Sequence, residues 1–316
     1  MTSGQVRVAI VGAGDIGRGW AALFVAAGWP VAVFDIDSHS MESAPEEIAN
    51  RARALVALER ASDESVASGI ERLAMGRSIL QACKDAEWVI EAGPEDLLAK
   101  QKMFEAIESV AGNARVITSS SSGLLAKDIA ARCLLRHRCF VVHPLNPPEL
   151  IPLVEIVPGP ETDHTLIELV KGWLRAVGRI PVEIKKPVPG NVANRIAAAV
   201  WREAIDLVLN GVIDIDDLDR AVSVGPGLGW AAAGPHLTYH LAAGDRGVSG
   251  FLQHLLQTFE TIWEDLPTWS RLEPDQQRKL VNAIENAYSE NAEQIRPARD
   301  RRLAAMLRAL EQARGD

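Results

Sequence analysis

Along the first 186 positions, short apolar runs are separated by stretches in which apolar residues recur at helical spacing. The runs cover 6–11, 31–35, 87–92, 116–118, 139–143, 153–157 and 181–184. Several lack polar alternation, as strands covered on both faces by helices do. Strand and helix alternating in this way predict a doubly wound, mainly parallel sheet. After Lys186 the strand signal fades. Ile196, Val200 and Leu207, with Trp201 and Val208 beside them, recur at helical spacing until Gly211, which predicts helices and a stop. Between the two patterns, KKPVPG supplies two prolines and a glycine that interrupt regular structure near Lys186 to Gly190. The pattern therefore predicts an α/β domain over 1–186 and an all-α domain over 187–316.

Gly12-Ala13-Gly14-Asp15-Ile16-Gly17 follows the first run and opens a helical stretch. In that context Gly12 permits a tight turn, Gly14 lets backbone approach a pyrophosphate, and Gly17 lets helix pack on strand. The helix amino terminus then offers N–H groups and the positive end of its dipole to phosphates. Asp35 ends the second run eighteen residues beyond Gly17, where a carboxylate accepts hydrogen bonds from an adenosine ribose. A 2′-phosphate would meet both Asp35 and Asp37 with no arginine close in sequence, so the expected cofactor is NAD, held in a Rossmann-type domain. No metal is expected at the site.

Composition narrows the remaining classes. Of 316 residues, 47% are hydrophobic and 24% charged, the balance of a soluble globular protein, and no apolar run approaches the ~18 residues of a membrane helix. A net charge of −9 repels polyphosphate backbones, so no nucleic-acid partner is expected. The basic stretch 296–308 carries Leu303, Met306, Leu307 and Leu310 at helical spacing and reads as the solvated face of a terminal helix. Cys83, Cys133 and Cys139 match neither a zinc site nor a disulfide framework and read as buried thiols of a reducing compartment. The opening MTSGQVRVAIVGAG lacks the parts of a signal peptide, so a cytoplasmic location is expected.

The candidate chemistry lies later in the same domain. His143 ends an apolar run, and Glu155 lies twelve residues on within LVEIV. An unpaired buried carboxylate is costly, and an imidazole is the evident partner. Together GAGDIG, SSSSGL, HPLNP, LVEIV and GNVANR, in this order and spacing, resemble the 3-hydroxyacyl-CoA dehydrogenase superfamily over nearly the whole chain. The resemblance implies that Ser122, His143, Glu155 and Asn194 surround the oxygen of a secondary alcohol. It also implies that Glu95 and Lys100 contribute to the cofactor side of the cleft and Asn146 to the substrate side. One departure is that Asn191 stands where the family's GFxxNR motif carries an aromatic.

Within that family the choice is between a CoA thioester and a free hydroxy acid. The segment 35–50 has no lysine or arginine and contains Glu42, Glu46 and Glu47, which disfavours the phosphates of CoA. HPLNPPELIPLVEIVPGPET looks like the branch with gulonate 3-dehydrogenase and lambda-crystallin, whereas GPGLGW and HLTYHLAAGDRG are similar to carnitine dehydrogenases. The resemblance implies NAD-dependent oxidation of a small L-3-hydroxy acid to its 3-keto acid. The alternatives are a short-chain 3-hydroxyacyl-CoA dehydrogenase and a crystallin-like structural protein. Eight of the sixteen aromatics are tryptophan; Trp230 is a candidate substrate contact, although core or interface packing is the ordinary role of such residues. Gly244, Gly247 and Gly250 follow HLTYHLAA rather than a strand and are expected to form a loop. A homodimer built through the helical domain is expected, with no membrane partner.

Overall fold

In the computed structural model, residues 5–288 and 292–314 are described. The chain forms two compact units, one comprising Met1–Asn194 with Asp300–Ala305, the other Arg195–Arg299 with Met306–Asp316. The first unit is built on an eight-stranded sheet with helices, and the second is all-helical.

In chain order the first unit contains β1 (Val8–Val11), α1 (Asp15–Ala26), β2 (Val31–Phe34), α2 (Ser38–Ala57), α3 (Asp63–Glu71) and β3 (Leu73–Met75). It continues with α4 (Ile79–Cys83), β4 (Trp88–Glu91), α5 (Leu97–Val110), β5 (Val116–Ser119) and α6 (Ala126–Ile129). It ends with β6 (Cys139–Pro144), β7 (Leu153–Val157), α7 (His164–Ala176) and β8 (Ile180–Glu183). The sheet order is β3-β2-β1-β4-β5-β6-β7-β8. Every neighbouring pair is parallel except β6 and β7, which run antiparallel. The fold is thus the mainly parallel, doubly wound sheet the apolar pattern predicts, with one reversal that becomes important for the site.

β1, β4 and β5 are buried at every position, as strands between two helical layers must be. One apolar cluster joins α1, α2 and α7 to the sheet, and a second joins α4, α5 and α6 to it. Ring contacts organise the first. Trp20 and Phe24 of α1 stack at 5.7 Å, and Phe24 meets Trp88 of β4 edge-on at 5.4 Å. The cysteines are free and buried. β3 was not foreseen in the sequence: it is a three-residue edge strand paired with β2, too short for any period to register.

The second unit contains most of α8 (Ala193–Leu209), followed by α9 (Ile215–Val224), α10 (Pro226–Ala233), α11 (Pro235–Leu241), α12 (Gly247–Asp265), α13 (Pro274–Ala287) and α14 (Ala292–Arg314) apart from its stretch Asp300–Ala305. α8 stops before Gly211, which has φ +70°, a left-handed conformation that favours glycine. Gly247 and Gly250 correct one expectation, because they lie in the first turn of α12 rather than in a loop. Arg296 to Arg308 do belong to a terminal helix. Among the described residues, no helix is long and apolar enough to cross a membrane.

Candidate active site

The glycine-rich turn joins β1 to α1, and its three glycines meet different surroundings. Gly12 has φ +114°, and a Cβ there would lie 2.5 Å from the carbonyl oxygen of Ala92. A Cβ on Gly17 would lie 1.9 Å from the carbonyl oxygen of Gly12. Gly14 has no atom within 4 Å of the equivalent point. Two glycines are therefore required by the protein's own backbone, while the third keeps an open approach. Gly14 is also the N-cap of α1 and brings no side chain to satisfy its first-turn N–H groups. An open, uncapped helix start fits the pyrophosphate of a dinucleotide.

Asp35 follows β2 directly. Its Oδ2 accepts the Ala13 N–H at 2.6 Å and its Oδ1 accepts the Asp37 N–H at 2.9 Å. Asp37 caps α2, and hydrogen bonds from Ser40 hold its carboxyl below the usual range. Both acids therefore stand at the end of β2. Arg18 and Arg51 are engaged within the protein. Arg18 donates to the Ala13 carbonyl at 2.7 Å and pairs with Glu47. Arg51 pairs with Asp15 and lies 3.4 Å from Glu149. Ile16 is partly buried and packs against the first core cluster.

The antiparallel step in the sheet organises the histidine. β6 and β7 place His143 directly opposite Glu155 in register, so the eleven intervening positions form a connection that brings the two side chains together. His143 Nδ1 lies 3.0 Å from Glu155 Oε2, and both residues are buried. The other carboxylate oxygen, Oε1, accepts the N–H groups of Val192 and Ala193, each at 2.9 Å. A carboxylate that only accepts requires Nδ1 to carry the hydrogen, which leaves the Nε2 lone pair for proton transfer.

A second buried network lies at the ends of β4 and β5. Glu91 and Lys100 are almost entirely buried and pair at 2.8 Å. Glu91 also accepts from Ser119 Oγ at 2.5 Å and from the Gly93 N–H at 2.6 Å. Lys100 reaches the Gly93 carbonyl at 3.2 Å and Glu95 at 3.6 Å. Glu95 Oε1 in turn accepts from Ser121 Oγ at 2.6 Å, Ser122 N at 3.1 Å and Gly123 N at 3.0 Å. Burial opposes charge on Glu95, but the Ser121 hydroxyl and the Lys100 ammonium outweigh it and hold the carboxyl below its usual range. The structure thus brings Glu95, Lys100 and the Ser122 backbone together, and the Ser122 hydroxyl enters none of these bonds.

Asn146 is exposed in the β6–β7 connection, just before a cis Asn146–Pro147 bond. Buried Arg179 braces that connection by donating to the carbonyls of Pro148 and Ile151 at 3.2 and 3.1 Å. Asn194 is partly buried, belongs to the first unit and is the second residue of α8. Asn191 is buried with φ +50°, after Gly190 with φ +76°. Asparagine tolerates that left-handed backbone far better than most residues, which accounts for its place in the turn. Trp230 lies partly buried on α10 in the second unit.

Glu91, Ser121 and Arg179 were missed in the sequence. Glu91 had a usable signal, since a carboxylate inside the apolar run WVIE needs a partner just as Glu155 does. Arg179 and Ser121 had none, because their bonds join segments distant in sequence or internal to a turn.

The 3-hydroxyacyl-CoA dehydrogenase NAD binding domain matches residues 7–187, and the 3-hydroxyacyl-CoA dehydrogenase C-terminal domain matches residues 190–283. The chain belongs to the 3-hydroxyacyl-CoA dehydrogenase family. It is an NAD-dependent dehydrogenase of the class acting on CH–OH groups. It is 34% identical to an L-carnitine dehydrogenase of Nocardiopsis dassonvillei over 310 residues, covering 96% of this chain and 92% of that protein. It is 36% identical to the Homo sapiens lambda-crystallin homolog over 264 residues, covering 81% and 82%. Among solved structures, a 5-formyl-3-hydroxy-2-methylpyridine 4-carboxylic acid 5-dehydrogenase, described as an NAD+ dependent dismutase, is similar with a TM-score of 0.81 and 28% identity. That likeness covers 97% of this chain and 99% of the other.

Proposed function

We propose that this dehydrogenase oxidises the 3-hydroxyl of a small L-3-hydroxy acid not linked to CoA, of the L-carnitine or L-gulonate type, to the 3-keto acid. The observation that carries the reading is the buried His143–Glu155 pair at 3.0 Å, joined in one unit to an open, glycine-lined helix start. Bound NAD supplies the acceptor for the hydride leaving the carbinol carbon. His143 Nε2 takes the hydroxyl proton while Glu155, bonded to Nδ1, orients the ring and stabilises its protonated form. Ser122 and Asn194 donate hydrogen bonds to the substrate oxygen as negative charge develops on it. Gly12, Gly14, Asp15, Ile16 and Gly17 form the pyrophosphate turn, and Asp35 receives the adenosine ribose. Glu95 and Lys100 hold the neighbouring loop, and Asn146 contacts the substrate from the β6–β7 connection.

Absence of CoA is supported by the engagement of Arg18 and Arg51 within the protein and by the acidic segment before Arg51. L-Carnitine and a pyridine carboxylic acid are named in two of the similar proteins, neither as a CoA ester. The working species is proposed to be a homodimer formed through the helical unit.

A panel of L-carnitine, L-gulonate, free L-3-hydroxybutyrate and its CoA ester, followed by NAD reduction, tests the substrate class. Turnover of a free acid with the CoA ester inactive is expected, and preference for the CoA ester would overturn the reading. With the accepted substrate, His143→Ala should lower kcat about 100- to 10,000-fold while NADH binding, followed by fluorescence titration, is retained. Unchanged turnover would remove His143 as the base.

A further inference from the structure

Glu155 spends its two carboxylate oxygens in two directions. Oε2 meets His143 Nδ1, across the antiparallel β6–β7 pair. Oε1 accepts both the Val192 and the Ala193 N–H at 2.9 Å. These N–H groups stand at the entrance to α8, and the next residue is Asn194. The first turn of a helix has N–H groups without intrahelical acceptors, and the positive end of the helix dipole favours a negative charge there. Here a carboxylate from a strand 37 and 38 positions away fills that need. The turn leading in contains two consecutive left-handed residues, Gly190 and Asn191, so the backbone changes course immediately before the gripped N–H groups.

We propose that Glu155 is the positioning residue for Asn194 as well as for His143, fixing the hydrogen-bond donor to the substrate oxygen through α8 and the proton acceptor through the imidazole. The proposal rests on the reading of Asn194 as that donor. One buried carboxylate therefore sets the spacing between base and donor, and neither shifts without straining the other. The two roles separate by chemistry. Glutamine at 155 keeps an oxygen for the two N–H donors and turns its amide toward His143. Nδ1 must then accept, so the ring proton moves to Nε2 and the base is blocked. Alanine removes both roles.

Amide hydrogen exchange on the full-length protein, with and without NADH, reads the α8 grip without needing a substrate. In Glu155→Ala, exchange at Val192 and Ala193 should quicken by about tenfold or more, while amides of β1 and α1 keep their rates. In Glu155→Gln, protection at both positions should persist although turnover falls. Unchanged exchange at Val192 and Ala193 in Glu155→Ala would overturn the proposal. If Glu155→Ala does not fold, Glu155→Asp takes its place. Its carboxylate is one methylene too short to serve both ends, so lasting protection at both amides together with wild-type turnover would overturn the proposal equally.

A double-mutant cycle reads the catalytic consequence. Asn194→Ala should cost as much kcat in the Glu155→Gln background as in the wild type, and several-fold less in the Glu155→Ala or Glu155→Asp background, because residues acting as a unit are not additive. Full additivity in every background would place Asn194 by other means. No effect of Asn194→Ala in the wild type would instead remove Asn194 from the site, whatever the exchange result.

Discussion

Lys100 and Glu91 form an ion pair with almost no exposure to solvent, and such pairs are unforgiving of losing one member. Lys100→Met would leave Glu91 buried with only Ser119 and the Gly93 N–H as donors. We expect a loss of about 3–5 kcal/mol in denaturant unfolding, and a loss below about 1 kcal/mol would show that the pair is not a structural anchor. Asp35 acts in the opposite setting, at the open end of β2. Its two oxygens hold the Ala13 and Asp37 N–H groups, so the carboxylate is pinned where, on the proposed reading, a ribose or a 2′-phosphate would meet it. Asp35→Ala should lower the preference for NAD over NADP by about 1–3 kcal/mol in relative kcat/KM. Equal efficiency with both cofactors in the unaltered protein would exclude this role.

At the scale of elements, the glycine turn is expected to separate folding from binding. Gly17→Ala places a methyl group against the Gly12 carbonyl and should cost about 1–3 kcal/mol through overpacking. Gly14→Ala has open space around its new methyl, so thermal unfolding without cofactor should change little while NAD affinity falls. Equal effects of both substitutions on Tm would contradict the division. The turn was legible in the sequence because glycine spacing reports a local conformation. β1, β2, β4, β5, β6, β7 and β8 were legible because each is a short, mainly apolar run, even where it holds an acid such as Glu91 or Glu155. β3 was not, since three edge residues carry no period, and neither was the direction of β7, since an apolar run says nothing of orientation. That antiparallel step sets His143 against Glu155. The sequence suggested the partners from the cost of a lone buried acid, but the grip of Glu155 on α8 joins distant backbone and leaves no trace in residue type. Gly247 and Gly250 misled in the other direction, because glycine inside a helix also serves close packing: a Cβ on Gly250 would lie 2.4 Å from Arg246 Cβ.

For the whole molecule, the helical unit leaves many large apolar side chains exposed. Leu252, Leu255, Ile262 and Trp263 of α12 are exposed. Beside them a hollow of about 750 Å³ is lined by Tyr239, Phe251, Leu256 and Phe259. Its rings meet at tilted angles, with Phe259 5.6 Å from Phe251 and 5.8 Å from Trp263. Apolar patches of this kind mark association surfaces, and a two-fold pair of identical faces would cover them without open-ended growth. The unaltered protein should therefore run in light scattering at twice its 34.2 kDa chain mass across a dilution series. Trp263→Glu sets a charge in the middle of the face and should drive the particle toward monomer, leaving the far-ultraviolet circular dichroism unchanged. An active wild-type particle of single-chain mass at every concentration would overturn the dimer. A dimer that survives Trp263→Glu with unchanged affinity would move the interface away from α12.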